Sequence, residues 1–82
     1  MGVLDRIRPK VRAKLERGAL PREKCLVTWF GPGAGFRCEV CDEPVTSQQI
    51  ECECEHPRGH TIRMHQGCFV VWDAERQEPA PA

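Results

Sequence analysis

Val3, Leu4, Ile7, Val11 and Leu15 recur at three- and four-residue spacing, which is the period of one apolar helix face. Pro9 falls inside this pattern. Proline is tolerated in a first helical turn and clashes deeper in. The pattern therefore predicts a regular helix from Pro9 to Arg17, preceded by an irregular or kinked turn. Gly18 suits the left-handed residue that ends a helix, and Pro21 blocks continuation. The N-terminal helical segment is thus expected within residues 3–20.

Cys25 to Phe30 is rich in strand formers and is expected to be extended. Trp29 and Phe30 would project to opposite sides, leaving one ring for solvent or a partner. Residues 31–35, Gly-Pro-Gly-Ala-Gly, are expected to be a loop that turns sharply toward the next cysteine pair. No Gly-Lys-Ser/Thr follows, so this is not a phosphate cradle.

From Ile50 to Met64 the period becomes two. Ile50, Cys52 and Cys54 alternate with Glu51, Glu53 and Glu55, and Ile62 and Met64 alternate with Thr61 and Arg63. A three-residue loop, Pro57-Arg58-Gly59, brings both apolar sets to one face. That register pairs Cys54 with Ile62, Cys52 with Met64, and Glu53 with Arg63. A four-residue loop would set Glu53 against Ile62 and break the pattern. After Met64 the helical period returns through Cys68, Phe69, Trp72 and Arg76, predicting a helix from Gln66 to Gln77. Phe69 and Trp72 are expected in the core, and residues 78–82 as a disordered tail.

Eighty-two residues with five aromatics make one domain with a thin core, in which residues 25–77 form the compact part. Domains this small usually need a staple. Cys38, Cys41, His65 and Cys68 supply one. They form C-x2-C and H-x2-C pairs separated by 23 residues, a spacing that can converge on one tetrahedral ion. Cys3His is a common closed structural zinc site. Iron is the alternative ion, since thiolate-rich tetrahedral sites accept both. His65 should bind through one ring nitrogen and donate from the other to a carbonyl or carboxylate such as Glu51. Cys54, His56 and His60 share the hairpin mouth, so a second site there competes with the plain reading of buried thiol and turn residues. Cys25 and Cys52 read as core thiols.

No apolar run reaches the roughly 18 residues that a membrane span needs. Met1 to Arg6 meets charge at once, which argues against a signal peptide, and position 6 lacks the Ser or Thr of a myristoylation signal. The expected location is a reducing cytoplasm, with cysteines as ligands and thiols rather than disulfides. Net charge is zero but uneven: eight Lys/Arg against three acids in residues 1–25 leave +5 there and −5 in the remainder. The basic stretch can be a solvated helix face, a nucleic-acid arm through Arg6, Arg8, Lys10, Arg12, Lys14 and Arg17, or a surface drawn to the acidic half.

A knuckle, a hairpin and a helix carrying the last ligand follow one another in treble-clef order. The fold class expected is small α+β: an N-terminal helix, then a treble-clef zinc finger of knuckle, β-hairpin and C-terminal helix. Leu20-Pro21, Trp29, Gly31-Pro32-Gly33, Cys38-x2-Cys41-Asp42-Glu43-Pro44-Val45, Glu51-x-Glu53 and His65-x2-Cys68-Phe69-x2-Trp72 resemble a group of short, largely uncharacterised bacterial proteins. The ligand half also resembles the fingers of LIM domains and poly(ADP-ribose) polymerases, which share a Cys-Cys-His-Cys order. These resemblances imply a cytoplasmic zinc-binding protein with ligation at Cys38, Cys41, His65 and Cys68, and no assigned reaction. A closed site leaves no open position for water, and no nucleophile–base set is visible. The expected role is non-enzymatic: one Zn²⁺ stabilising an interaction module for another macromolecule, a protein first. No membrane partner and no small-molecule substrate are expected. Nucleic-acid binding, or thiol-redox or metal sensing at the Cys38/Cys41 pair, are the rivals.

Overall fold

A computed structural model describes residues 3–77. The expected tail at 78–82 lies outside them. Helix α1 spans Val3–Glu16, strand β1 Val27–Pro32, β2 Ile50–Glu55, β3 Thr61–His65 and helix α2 Gln66–Arg76. The protein is a small α+β chain with one antiparallel sheet in the order β1-β2-β3. No helix among the described residues is long and apolar enough to cross a membrane.

Alternation fixes the sheet. Cys52 pairs with Met64, Glu53 with Arg63, and Cys54 with Ile62, as the hydrophobic pattern requires. The loop between them is Pro57-Arg58-Gly59: His56 N–H donates to His60 C=O, and Gly59 takes the left-handed φ of 94°. Cys52, Cys54, Ile62 and Met64 are buried on the inner face. Helix α2 packs against this face and against α1. Trp72 is fully buried, and its indole N–H donates to Pro21 C=O at 2.9 Å. Val11, Leu15 and Leu20 close the core from the α1 side.

Four details differ from expectation. Helix α1 starts at Val3 and carries Pro9 in its interior, not at its start. The ring costs about 3 kcal/mol inside a helix. Burial of Val11 and Leu15 and four ion-pairing side chains on α1 oppose that cost. The end is as expected: Gly18 has φ 78°, Ala19 N–H reaches Lys14 C=O, and Gly18 N–H reaches Leu15 C=O, the Schellman pattern.

Gly31 and Pro32 continue β1 rather than opening the loop. The turn begins at Gly33, whose N–H bonds Gln49 C=O. Trp29 and Phe30 do lie on opposite faces, but both are half exposed, because β1 is the sheet's outer strand and α2 covers its inner side only in part. Finally, Cys25 and Cys54 form a disulfide. The expectation of six reduced cysteines fails here. Thr28 pairs with Cys54 across β1–β2, which brings the chain entering β1 within bonding distance of β2.

Candidate metal centre

The segment after β1 builds a frame for the first cysteine pair. Gly35 N–H bonds Val45 C=O, Val45 N–H bonds Phe36 C=O, and Arg37 bridges Pro44. Within that frame Cys38 N–H bonds Glu43 C=O and Asp42 N–H bonds Cys38 C=O. Asp42 takes φ 72°, a conformation that short polar side chains tolerate. The resulting tight turn points Cys38 and Cys41 the same way. A second tie holds the turn to β3: Glu39 N–H donates to Arg63 C=O, and the Glu39 carboxylate accepts from Arg63 N–H.

The second pair comes from the end of β3. His65 is the last residue of β3 and the N-cap of α2, and Cys68 sits in the first turn of that helix. The donor atoms of Cys38, Cys41, His65 and Cys68 all lie within 4.8 Å of one another. His65 Nδ1 is 3.4 Å from Cys41 Sγ and 3.8 Å from Cys68 Sγ. Tetrahedral Zn–S and Zn–N bonds of about 2.3 and 2.0 Å imply donor separations of roughly 3.5–3.8 Å. The donor set and its spacing therefore fit one tetrahedral metal ion.

Nδ1 faces the sulfurs, so Nε2 carries the proton. It donates toward Pro44 C=O at 3.1 Å and Gln49 Oε1 at 3.0 Å, fixing the ring for Nδ1 ligation. Glu51, the expected acceptor, is paired with His65 in the sheet, but its carboxylate turns to Arg63. Gln49 carried no signal in the spacing. It reaches the ring because β2 starts one residue later.

The electrostatics suit a metal-thiolate centre. Cys38 is buried and its Sγ accepts the thiol proton of Cys68 and the N–H groups of Cys41 and His65. These bonds hold its pKa far below the usual thiol value. The Cys68 thiol is pushed up because it gives that hydrogen bond, and burial pushes Cys41 up. A single ion would replace the shared protons and take all three as thiolates.

Helix α1 clasps the knuckle from outside. Lys14 is buried and donates to Glu39 C=O at 2.9 Å and to Asp42 at 2.8 Å. Lys10 donates to Cys41 C=O at 3.0 Å and pairs with Asp42 at 3.0 Å. Arg8 and Arg12 both pair with buried Glu75 on α2. Four of the six basic residues on the helical segment are thus turned onto the acidic half. Arg6 and Arg17 remain exposed. The uneven charge held this signal; the partners' identities did not follow from it.

A second centre at Cys54, His56 and His60 is not formed. Cys54 is bonded to Cys25. His56 Nδ1 accepts Arg58 N–H at 3.1 Å, so Nε2 holds the proton and cannot also bind a cation. The His56 and His60 rings stack at 4.6 Å. Cys38, Cys41, His65 and Cys68 are the one metal-competent group among the described residues. Cys52 is a plain buried thiol, with burial raising its pKa to about 12.

Comparison with known proteins returns no matching family model, no matching curated protein and no matching solved structure.

Proposed function

We propose that this chain is a zinc-stabilised interaction module of the treble-clef type, with Cys38, Cys41, His65 and Cys68 binding one Zn²⁺ and with another protein as its partner. The convergence of four donors from two chain segments carries this reading. With all four positions filled by protein, the ion's work is to hold the knuckle to the start of α2 rather than to activate water. A non-enzymatic role is the simplest use of such a site.

The outer sheet face suits recognition. Trp29, Glu53 and Arg63 lie in one cross-strand row. The Arg63 guanidinium stands 4.3 Å from the Phe36 ring centroid, and Trp29 and Phe36 are both half exposed. An aromatic pair around a mixed charge row is typical interface chemistry. The basic helix offers less to nucleic acid, because Arg8, Lys10, Arg12 and Lys14 already serve Glu75 and Asp42.

Native mass spectrometry should find one zinc per chain. Affinity capture with the zinc-loaded chain should retain a protein that Trp29→Ala/Phe36→Ala, still zinc-loaded, does not retain. Zinc-free protein with a full native fold, or capture indifferent to both rings, refutes the reading.

A further inference from the structure

Four of the seven exposed large apolar side chains among the described residues lie in strand β1 or just before it. Leu26, Val27, Trp29 and Phe30 are 65%, 43%, 51% and 52% exposed. Exposed Ile50 lies across from Pro32, the last residue of the strand. Strand order makes β1 an edge, and among the described residues nothing pairs with its outer side.

The backbone shows what that edge offers. Hydrogen-bonding direction alternates along an antiparallel strand. Gly33 N–H faces β2, bonding Gln49 C=O, so Gly31 and Trp29 face β2 as well. Thr28 and Phe30 then turn their N–H and C=O groups outward. Pro32 falls on an outward position too, where its missing N–H costs β2 nothing. Edge strands are usually defended by charge, proline, a bulge or a covering element, and within β1 proline occurs only at its last residue, Pro32. Here no Asp, Glu, Lys or Arg occurs from Cys25 to Phe36.

We propose that β1 pairs antiparallel with β1 of a second copy of this chain, about a two-fold axis at Trp29. Two three-stranded sheets then become one continuous sheet. In this register each Thr28 meets the other copy's Phe30, and the outward backbone groups of both residues are satisfied. The Trp29 rings meet across the axis on the outer face, and aromatic cross-strand pairs are favourable. Within the strand Val27 faces Gly31, so bulk meets little bulk; the regular pairing ends there, because Leu26 N–H bonds Glu55 C=O. No charged residue occurs in Val27–Pro32, so no like charges oppose within the paired strands.

The inner face supplies the argument for a second copy over another strand. A groove of about 440 Å³, lined by Lys24, Cys25, Thr28, Phe69, Asp73 and Arg76 among others, opens beside Thr28. The other copy's Phe30, packed edge-on against its own Phe69 yet still half exposed, stands opposite Thr28 on that same face. Each chain thus presents the ring and the groove that its copy needs, which is the self-complementarity a two-fold interface requires. This inference does not rest on the identity of the metal.

Sedimentation equilibrium and native mass spectrometry of the full zinc-loaded chain test it over a micromolar-to-millimolar series. The expected result is a dimer whose fraction rises with concentration, with slowed amide exchange at Thr28 and Phe30. Trp29→Lys sets two charges face to face, and Thr28→Pro removes an N–H that β2 does not use. Each should weaken the dimer roughly tenfold or more while circular dichroism and metal content stay native. A chain that remains monomeric throughout, a dimer that both folded variants keep, or Thr28 and Phe30 amides unaltered by dimerisation overturns the proposal. The exchange measurement on the unmodified chain decides the matter if a variant misfolds.

Discussion

Lys14 and Asp42 meet at 2.8 Å across the joint between α1 and the cysteine knuckle. The lysine is buried and also bonds Glu39 C=O. Asp42 is the knuckle's left-handed residue, and Lys14, Lys10 and Arg37 hold its carboxyl far below the usual carboxylate range. One ion pair thus ties helix docking to knuckle geometry. Lys14→Met keeps the apolar stem but takes the ammonium from both the Glu39 carbonyl and the Asp42 carboxylate. It should cost about 2–3 kcal/mol in urea unfolding of the metal-loaded chain. The double variant with Asp42→Asn should cost less than the two singles added together; strict additivity would show that the pair is not coupled.

Glu75 makes a second such joint, buried beneath Arg8 and Arg12. The Arg12 hydrogen bond, then that of Arg8, holds its pKa below the ordinary 4.5, against the opposing effect of burial. A depressed folded-state pKa contributes stability that is complete above the unfolded value and fades as pH falls through the folded one. Glu75→Gln should therefore be about 2 kcal/mol less stable than the parent at neutral pH. The difference should shrink below pH 4.5. Acid also strips metal from thiolates, so only the difference between matched samples is diagnostic. A gap that stays constant with pH would assign the loss to packing.

Removing the metal should unfold the domain, since structural zinc supplies on the order of 10–16 kcal/mol of apparent binding energy. Chelation should abolish native circular dichroism, and His65→Ala and Cys68→Ser should do the same. Cys52→Ala should keep metal and fold at a cost of about 1–3 kcal/mol. Gln49 accepts from His65 Nε2 at 3.0 Å. Gln49→Ala should lower metal affinity about tenfold, with Pro44 C=O still in place. Competition with a chromogenic chelator reads both effects, and unchanged affinity would remove Gln49 from the support of the site.

The sequence was most legible where one physical rule acted locally. Alternation of Ile50, Cys52 and Cys54 with glutamates left a single register for the hairpin, and Gly18 marked the end of α1 through its backbone freedom. The four donors were readable because turn spacing alone brings each pair together. What escaped was decided by distant contacts. Pro9 argued against a helix before it, yet docking onto α2 and the knuckle outweighs the local penalty. Cys25 and Cys54 looked like separate core thiols, because nothing in their spacing states that β1 pairs with β2. The nitrogen of His65 that seeks Gln49 was equally invisible, since that contact exists only once β2 is in place.

The Cys25–Cys54 disulfide can be counted directly. Without reductant, the denatured and chelated chain should show four reactive thiols; with reductant it should show all six. The bond closes a loop with a sequence separation of 29. Loop-closure entropy for that length predicts about 3–4 kcal/mol of stabilisation. Cys25→Ser should lose that amount in urea unfolding while its metal stoichiometry stays at one. Six reactive thiols without reductant would show the pair reduced in solution.

Gly33 and Gly31 should respond very unequally to the same substitution. A Cβ at Gly33 would clash with the Thr46 and Val45 carbonyl oxygens, whereas one at Gly31 meets nothing within 4 Å. Those carbonyls belong to the frame that closes over the knuckle, so they cannot retreat without moving it: Val45 C=O accepts from Gly35 and Val45 N–H donates to Phe36. Gly33→Ala should therefore cost at least about 2 kcal/mol and weaken metal binding as well, because strain passes through Val45 to the Cys38 turn. Gly31→Ala should lie within about 1 kcal/mol of the parent and leave metal affinity unchanged. Paired urea and chelator titrations on the two variants measure this. Equal losses at both positions would mean that the close approach at Gly33 does not position the first cysteine pair.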